Sequence, residues 1–143
     1  MASFRTKLAV AAAVVAAAAG VASGQTMKAE IPFAFRANGA VMSPGTYQVT
    51  LGTLLNGTPV VYLLSDQGHH SALARTQTSH DPPRAWVVAG KPVLNFECGA
   101  KLCSLVGVWG GHDEPAHDFA APKLGKDEPA HMAVISLQPQ KGE

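Results

Sequence analysis

Apolar positions recur at every second residue in two stretches near the start of the chain. Ile31, Phe33 and Phe35 alternate in EIPFAFRANG, and Tyr47, Val49 and Leu51 alternate in GTYQVTLG, with polar or small residues between them. A period of two is that of the pleated strand, whose successive side chains point to opposite faces, so each stretch predicts a strand with one buried face. Between them, Asn38-Gly39 and Pro44-Gly45 are strong turn pairs, and the two strands are expected to join through a short intervening segment. Further on, Val60 to Leu64 is a continuous apolar run, Asp66-Gln67-Gly68 a turn, and Ser71 to Thr76 a returning strand, which together predict a hairpin. SHDPPR reads as a surface connection. AWVVAG, KPVLNFEC and LCSLVGVWGG follow as three more strand-like runs, with Leu94, Phe96 and Cys98 on one face. In HMAVISLQP, Ala133, Ile135 and Leu137 alternate and Pro139 is expected to stop the pairing.

Only the region from about Gly111 to Pro129 lacks a strand pattern. Pro115 and Pro122 argue against one long helix there, leaving room for a helical turn around Asp118 to Ala121. Short strands with frequent turns and no convincing helix predict an all-β single domain, a sandwich or small barrel of about seven or eight antiparallel strands.

The first 24 residues carry a different pattern. Arg5 and Lys7 precede a twelve-residue apolar run from Leu8 to Ala19, and small residues end at Ala22-Ser23-Gly24. This is the layout of a secretory signal peptide. The run is short for a bilayer span, which needs about 20 residues, and no cysteine follows it to carry a lipid. Residues 1–24 are therefore expected to be removed and residues 25–143 to form the β domain, exported to the periplasm or secreted with no retained membrane anchor. Removal takes two of the eleven basic residues and leaves ten acidic ones, a near-neutral balance. Scattered single charges give no basic patch for nucleic acid or for an anionic membrane surface.

Export sets the expectation for the two cysteines, since thiols outside the cytoplasm tend to be oxidised. Cys98 and Cys103 are spaced C-x4-C, unlike the C-x-x-C of redox centres and zinc knuckles. A hairpin turning at Gly99 to Lys101 would place them opposite each other, so a Cys98–Cys103 disulfide is predicted.

Candidate chemistry centres on GHDEPAHDFAAPKLGKDEPAH, in which DEPAH occurs twice. Zincin helices space two histidines four residues apart so that both face one zinc. Here His112 and His117 are five apart, which on a helix turns the rings about 140° away from each other, and Pro115 lies between. Lys126 replaces the first histidine in the second copy. Surface turns capped by Asp113 or Asp127 are the simplest reading; the alternative is a zinc or copper site in which a loop brings together His112, His117 and His131. Otherwise no cofactor is indicated. His69-His70 sits at a hairpin tip with its rings on opposite faces, and His80 carries no further signal.

No G-x-S-x-G elbow is present, Ser43 reads as turn chemistry, and VWGGHDE lacks a P-loop lysine. The chain carries no catalytic motif. Trp86, Trp109, Tyr47 and Tyr62 lie in apolar runs and are expected in the core rather than on a stacking platform. Asn56-Gly57-Thr58 matches a glycosylation sequon and is assigned no role.

The segments Ile31 to Phe35, Ser43 to Val49 and Leu94 to Trp109 together resemble a family of small exported bacterial proteins of unknown function. Its pattern is [VI]-P-F-x-F, then L-P-A-G-T-Y-x-V, then a later L-x-F hairpin ending in Trp. Met42-Ser43-Pro44-Gly45 stands where the family commonly has Leu-Pro-Ala-Gly. The resemblance implies a β-rich exported domain and brings no catalytic or binding residues. The sequence thus predicts an exported, non-enzymatic binding or structural module; it does not identify a partner, for which a protein and a glycan are the candidates. The alternatives are a periplasmic metal-binding protein and a hydrolase whose site assembles in space.

Overall fold

The computed structural model describes residues 24–68, 70–120 and 129–139. Apart from Gly24, the expected signal peptide lies outside the described residues, as does His69. The elements are β1 (Gly24–Ile31), β2 (Phe35–Ala37), β3 (Ala40–Met42), β4 (Gly45–Thr53), β5 (Pro59–Ser65), β6 (Ser71–His80), α1 (Arg84–Ala89), β7 (Val93–Cys98), β8 (Cys103–Trp109), β9 (Ala116–Phe119), β10 (His131–Ser136) and β11 (Gln138–Pro139). The all-β single domain expected from the pattern is present; among the described residues it has eleven strands in place of seven or eight, in one open mixed sheet in place of a purely antiparallel sandwich or barrel.

Hydrogen bonding links the strands in the order β10-β7-β8-β9-β6-β5-β4-β1-β11. Every neighbouring pair along that path is antiparallel. The β2–β3 hairpin joins by a parallel pairing of β2 with β8, Phe35 beside Cys103. Strand β6 is shared between two halves of the sheet: Ser71 to Arg75 pair with β5, and from Thr76 onward it pairs with β9, with an irregular register between Thr76 and Thr78. A bulge of this kind bends a strand and lets it pass from one layer to the next. At the other end of the path, Leu137 alone separates β10 from β11, so one stretch of chain supplies both terminal strands.

Alternation places the core. Tyr47 and Val49 of β4 and Leu94, Phe96 and Cys98 of β7 are buried, as their period-two spacing predicts. They meet in one cluster with Ala29 and Ile31 of β1, Leu63 of β5 and Leu105 of β8. Phe35 sits at its centre, edge-to-face with Tyr47 at 5.4 Å and with Phe96 at 5.3 Å between ring centroids. The Tyr47 hydroxyl donates to the Ser43 carbonyl at 2.5 Å, which fixes the turn before β4. Burial raises the Tyr47 pKa. Cys98 and Cys103 are register partners and form a disulfide with Sγ atoms 2.07 Å apart. The Gly99 amide closes the turn on the Leu102 carbonyl. So short a covalent loop contributes about 2 kcal/mol in the chain-entropy description, enough to pin a hairpin.

Four expectations are corrected. Ile31, Phe33 and Phe35 do not share one strand: β1 ends at Ile31 and β2 starts at Phe35, because Pro32 offers no amide to a ladder. AWVVAG is not a strand; residues 84–89 form α1. Pro83 precedes it at φ −56°, and Gly90 at φ 73° caps it by donating its amide to the Trp86 carbonyl. Only Trp86 turns inward, against Val93, Trp109 and Ala116. Residues 116–119 are a strand rather than the start of a helical turn, since β6 and β8 bracket them on both sides; Ala121 lies outside the described residues. Pro139 does not end pairing before itself but stands opposite Met27 on a sheet edge, where its missing amide costs nothing.

Candidate functional site

At Thr76 the sheet divides. β5 is paired with β6 only as far as Arg75, and β9 takes over at Thr76, so the β4–β5 pair and the β8–β9 pair splay apart on either side of the bulge. The gap between them is a cleft of about 380 Å³. Leu51, Val60, Val61 and Val108 form its apolar lining; Thr53, Thr76, Glu114 and His117 add polar groups. The three valines are buried and Leu51 is half-buried. The Thr76 hydroxyl is bonded to the Pro59 carbonyl at 3.1 Å, which closes the floor where the strands part.

The first DEPAH segment builds one wall. Gly111 and His112 adopt positive φ values of 93° and 56°, and the Glu114 amide donates to the Gly111 carbonyl. The Glu114 carbonyl then accepts from the indole Nε1 of buried Trp109 at 2.8 Å. This anchor holds Glu114 and Pro115 at the cleft and delivers Ala116 to β9, with His117 opposite Val108. The second DEPAH segment lies outside the described residues at Asp127 and Glu128; Pro129 and Ala130 are exposed and His131 opens β10.

The three candidate metal ligands do not converge. His112 is exposed on the turn, and His117 is half-buried at the cleft. His131 is opposite Cys98, at the far end of the sheet. β10 and β9 are three strands apart, so His131 is separated from His117 by roughly 14 Å across the sheet and roughly 17 Å along it. No group of three or more His, Cys, Asp or Glu suited to a metal ion occurs among the described residues.

A histidine with no signal in the sequence makes the one carboxylate–imidazole contact among the described residues. His80, at the end of β6, places Nε2 3.0 Å from Asp118 Oδ1 and Nδ1 2.7 Å from the Asp81 carbonyl oxygen. Thr78 donates its hydroxyl to Asp118 Oδ2 at 3.3 Å. Both ring partners are acceptors, so only the doubly protonated ring satisfies both. The His80 pKa is accordingly raised, first by the Asp81 carbonyl and then by the Asp118 hydrogen bond. In a catalytic triad one ring nitrogen faces the carboxylate and the other a nucleophile. Here the second nitrogen faces a carbonyl, so this ring has no free base to offer.

The remaining sequence candidates have structural places. Tyr47 and Trp109 are buried and Trp86 is half-buried, whereas Tyr62 is exposed on the outer face of β5, opposite Leu73. Asn56 shapes the β4–β5 turn by accepting from the Thr58 amide. No helix among the described residues is long and apolar enough to cross a membrane. No family model, curated protein or solved structure matches the chain.

Proposed function

We propose that this chain is exported and serves outside the cytoplasm as a non-enzymatic module that holds a small amphipathic ligand in the cleft beside Thr76. The observation that carries this reading is a concave space of about 380 Å³ where the strands part, in which the half-buried Leu51 stands beside Thr53, Thr76, Glu114 and His117. Small-molecule sites are concave and mostly apolar, with a few placed polar groups, and occupy about 300–1,000 Å³. The cleft is at the small end of that range. Export is supported by the signal-type N-terminus, the Cys98–Cys103 pair and the resemblance to small exported β-rich proteins. A hydrolase reading is weakened by the engagement of both His80 nitrogens.

Gly110 gives the test. A Cβ built there meets the flexible Leu51 Cδ1 at 3.4 Å and Glu114 Cγ at 3.8 Å, ordinary contacts, so a larger side chain can enter the cleft without backbone strain. A panel of small amphipathic fragments should perturb the NMR amide signals of Gly52, Val108 and His117, and Gly110→Leu should abolish those shifts while leaving the melting temperature close to that of the parent. Fragments that bind the variant equally well, or no perturbation by any fragment, would remove the cleft as the site.

A further inference from the structure

Among the described residues the hydrogen-bonded path ends at β10 and β11, and β3 is the free end of its hairpin. Two of these edges are protected by size: β3 has three residues and β11 two, one of them Pro139. β10 has six, in unbroken register with β7, with no proline and no charged residue other than the titratable His131. Sheets that must stay alone shorten, charge or bulge their edges, because open amides and carbonyls template further pairing. β10 does none of these, and its outward side chains are Ser136 and the two hydrophobics Met132 and Val134, which are 52% and 45% exposed.

We infer that β10 pairs antiparallel with β10 of a second copy of this chain, centred on Ala133, to form a weak symmetric dimer. Residues opposite each other across antiparallel strands point to the same face, and a two-fold axis makes the pairing self-complementary. Two centred registers keep the inner and outer faces aligned. About Ala133, Met132 meets the partner's Val134 and Val134 meets the partner's Met132, so both exposed apolar side chains are covered twice over. About Val134, that residue meets its own copy and Met132 is left against Ser136. The first register is the better packed. Charge does not separate the two registers: Glu97, beside Met132 on β7, lies three strands from the partner's Asn95 in the first and three from the partner's Val93 in the second. One six-residue strand pair buries less than the roughly 1,200 Å² of a stable interface. Dimerisation is therefore expected only at high concentration, and a charge on the edge should abolish it.

The test uses protein expressed from residue 1, so that the host sets its mature end. In sedimentation velocity from about 10 µM to about 1 mM, a range suited to weak interfaces, the parent should move from monomer toward dimer. Val134→Lys should remain monomeric throughout with an unchanged circular dichroism melt. For register, Met132→Cys and Val134→Cys chains are mixed and oxidised: the mixed crosslink should exceed either self-crosslink. A parent that stays monomeric at the highest concentration, or a Val134→Lys chain that dimerises like the parent, overturns the inference. Dominant self-crosslinking of Val134→Cys overturns the Ala133-centred register.

Discussion

His80 Nε2 sits 3.0 Å from Asp118 Oδ1 and thereby ties the last residue of β6 to the middle of β9, next to the strand position of His117 at the cleft. The bond lies within the β6–β9 pair, on the side of the bulge where β6 has already changed partners. It rewards the protonated ring, since the Asp81 carbonyl and the Asp118 carboxylate both accept.

The consequence is a pH-dependent contribution of known sign. The folded-state pKa of His80 is raised above its ordinary 6.5, so its stabilisation is fully present below the unfolded value and is lost as pH rises through the folded value. Both side chains are nearly half exposed, 44% and 46%, so solvent screening holds the effect below about 1 kcal/mol. Urea unfolding of the parent and of His80→Gln should differ at about pH 5.5 and converge at about pH 8.5, on either side of the ordinary histidine range. Asp118→Asn should weaken the same low-pH difference. An equal gap between parent and His80→Gln at both pH values would mean that the ring acts through packing and not through charge.

Period two made β4 and β7 legible because each buries one face, β5 was legible as a continuous apolar run before the Asp66-Gln67-Gly68 turn, and the Cys98–Cys103 pair followed from the β7–β8 turn. What misled was local chemistry read without its punctuation. Val87 and Val88 favour strands, but Pro83 and Gly90 cap a six-residue segment as a helix and leave no strand beside it. β9 has only four residues and carries Asp118, so it has no pattern of its own and exists because β6 and β8 flank it. The cleft was illegible for a different reason. Leu51, Val60, Thr76, Val108 and Glu114 are distant in sequence and meet only because β6 bulges between Thr76 and Thr78. His80 and Asp118, 38 residues apart, are joined by the same switch of partners.

If α1 is held by its caps and by Trp86, its valines are placed against their preference. Val87 and Val88 are 50% and 76% exposed, and alanine is favoured over valine at exposed helical positions by about 0.5 kcal/mol each. Val87→Ala with Val88→Ala should therefore stabilise the protein by about 1 kcal/mol if the two effects add. Gly90→Ala should act in the opposite sense by about 1 kcal/mol, because its φ of 73° is unfavourable for a residue with a Cβ. Denaturant midpoints of the two variants decide the matter; a double alanine variant less stable than the parent would point to a strand-like role for the segment.

The turn that opens the first DEPAH segment makes the last distinction, between a conformational and a ligating histidine. His112 holds a φ of 56° directly after Gly111 at 93°. Histidine tolerates that region better than most residues with a Cβ but still at some expense, and glycine adopts it freely. Against this, glycine adds freedom to the unfolded chain, so the net gain for His112→Gly is about 0.5 kcal/mol. The side chain is exposed and does not line the cleft, so fragment shifts at Val108 and His117 should be those of the parent. Calorimetric titration with zinc and with copper(II) should likewise be unchanged by the substitution, because His112, His117 and His131 occupy separate places in the fold. A His112→Gly chain that is less stable and has lost metal affinity would instead make this ring a ligand held in its strained conformation for that purpose.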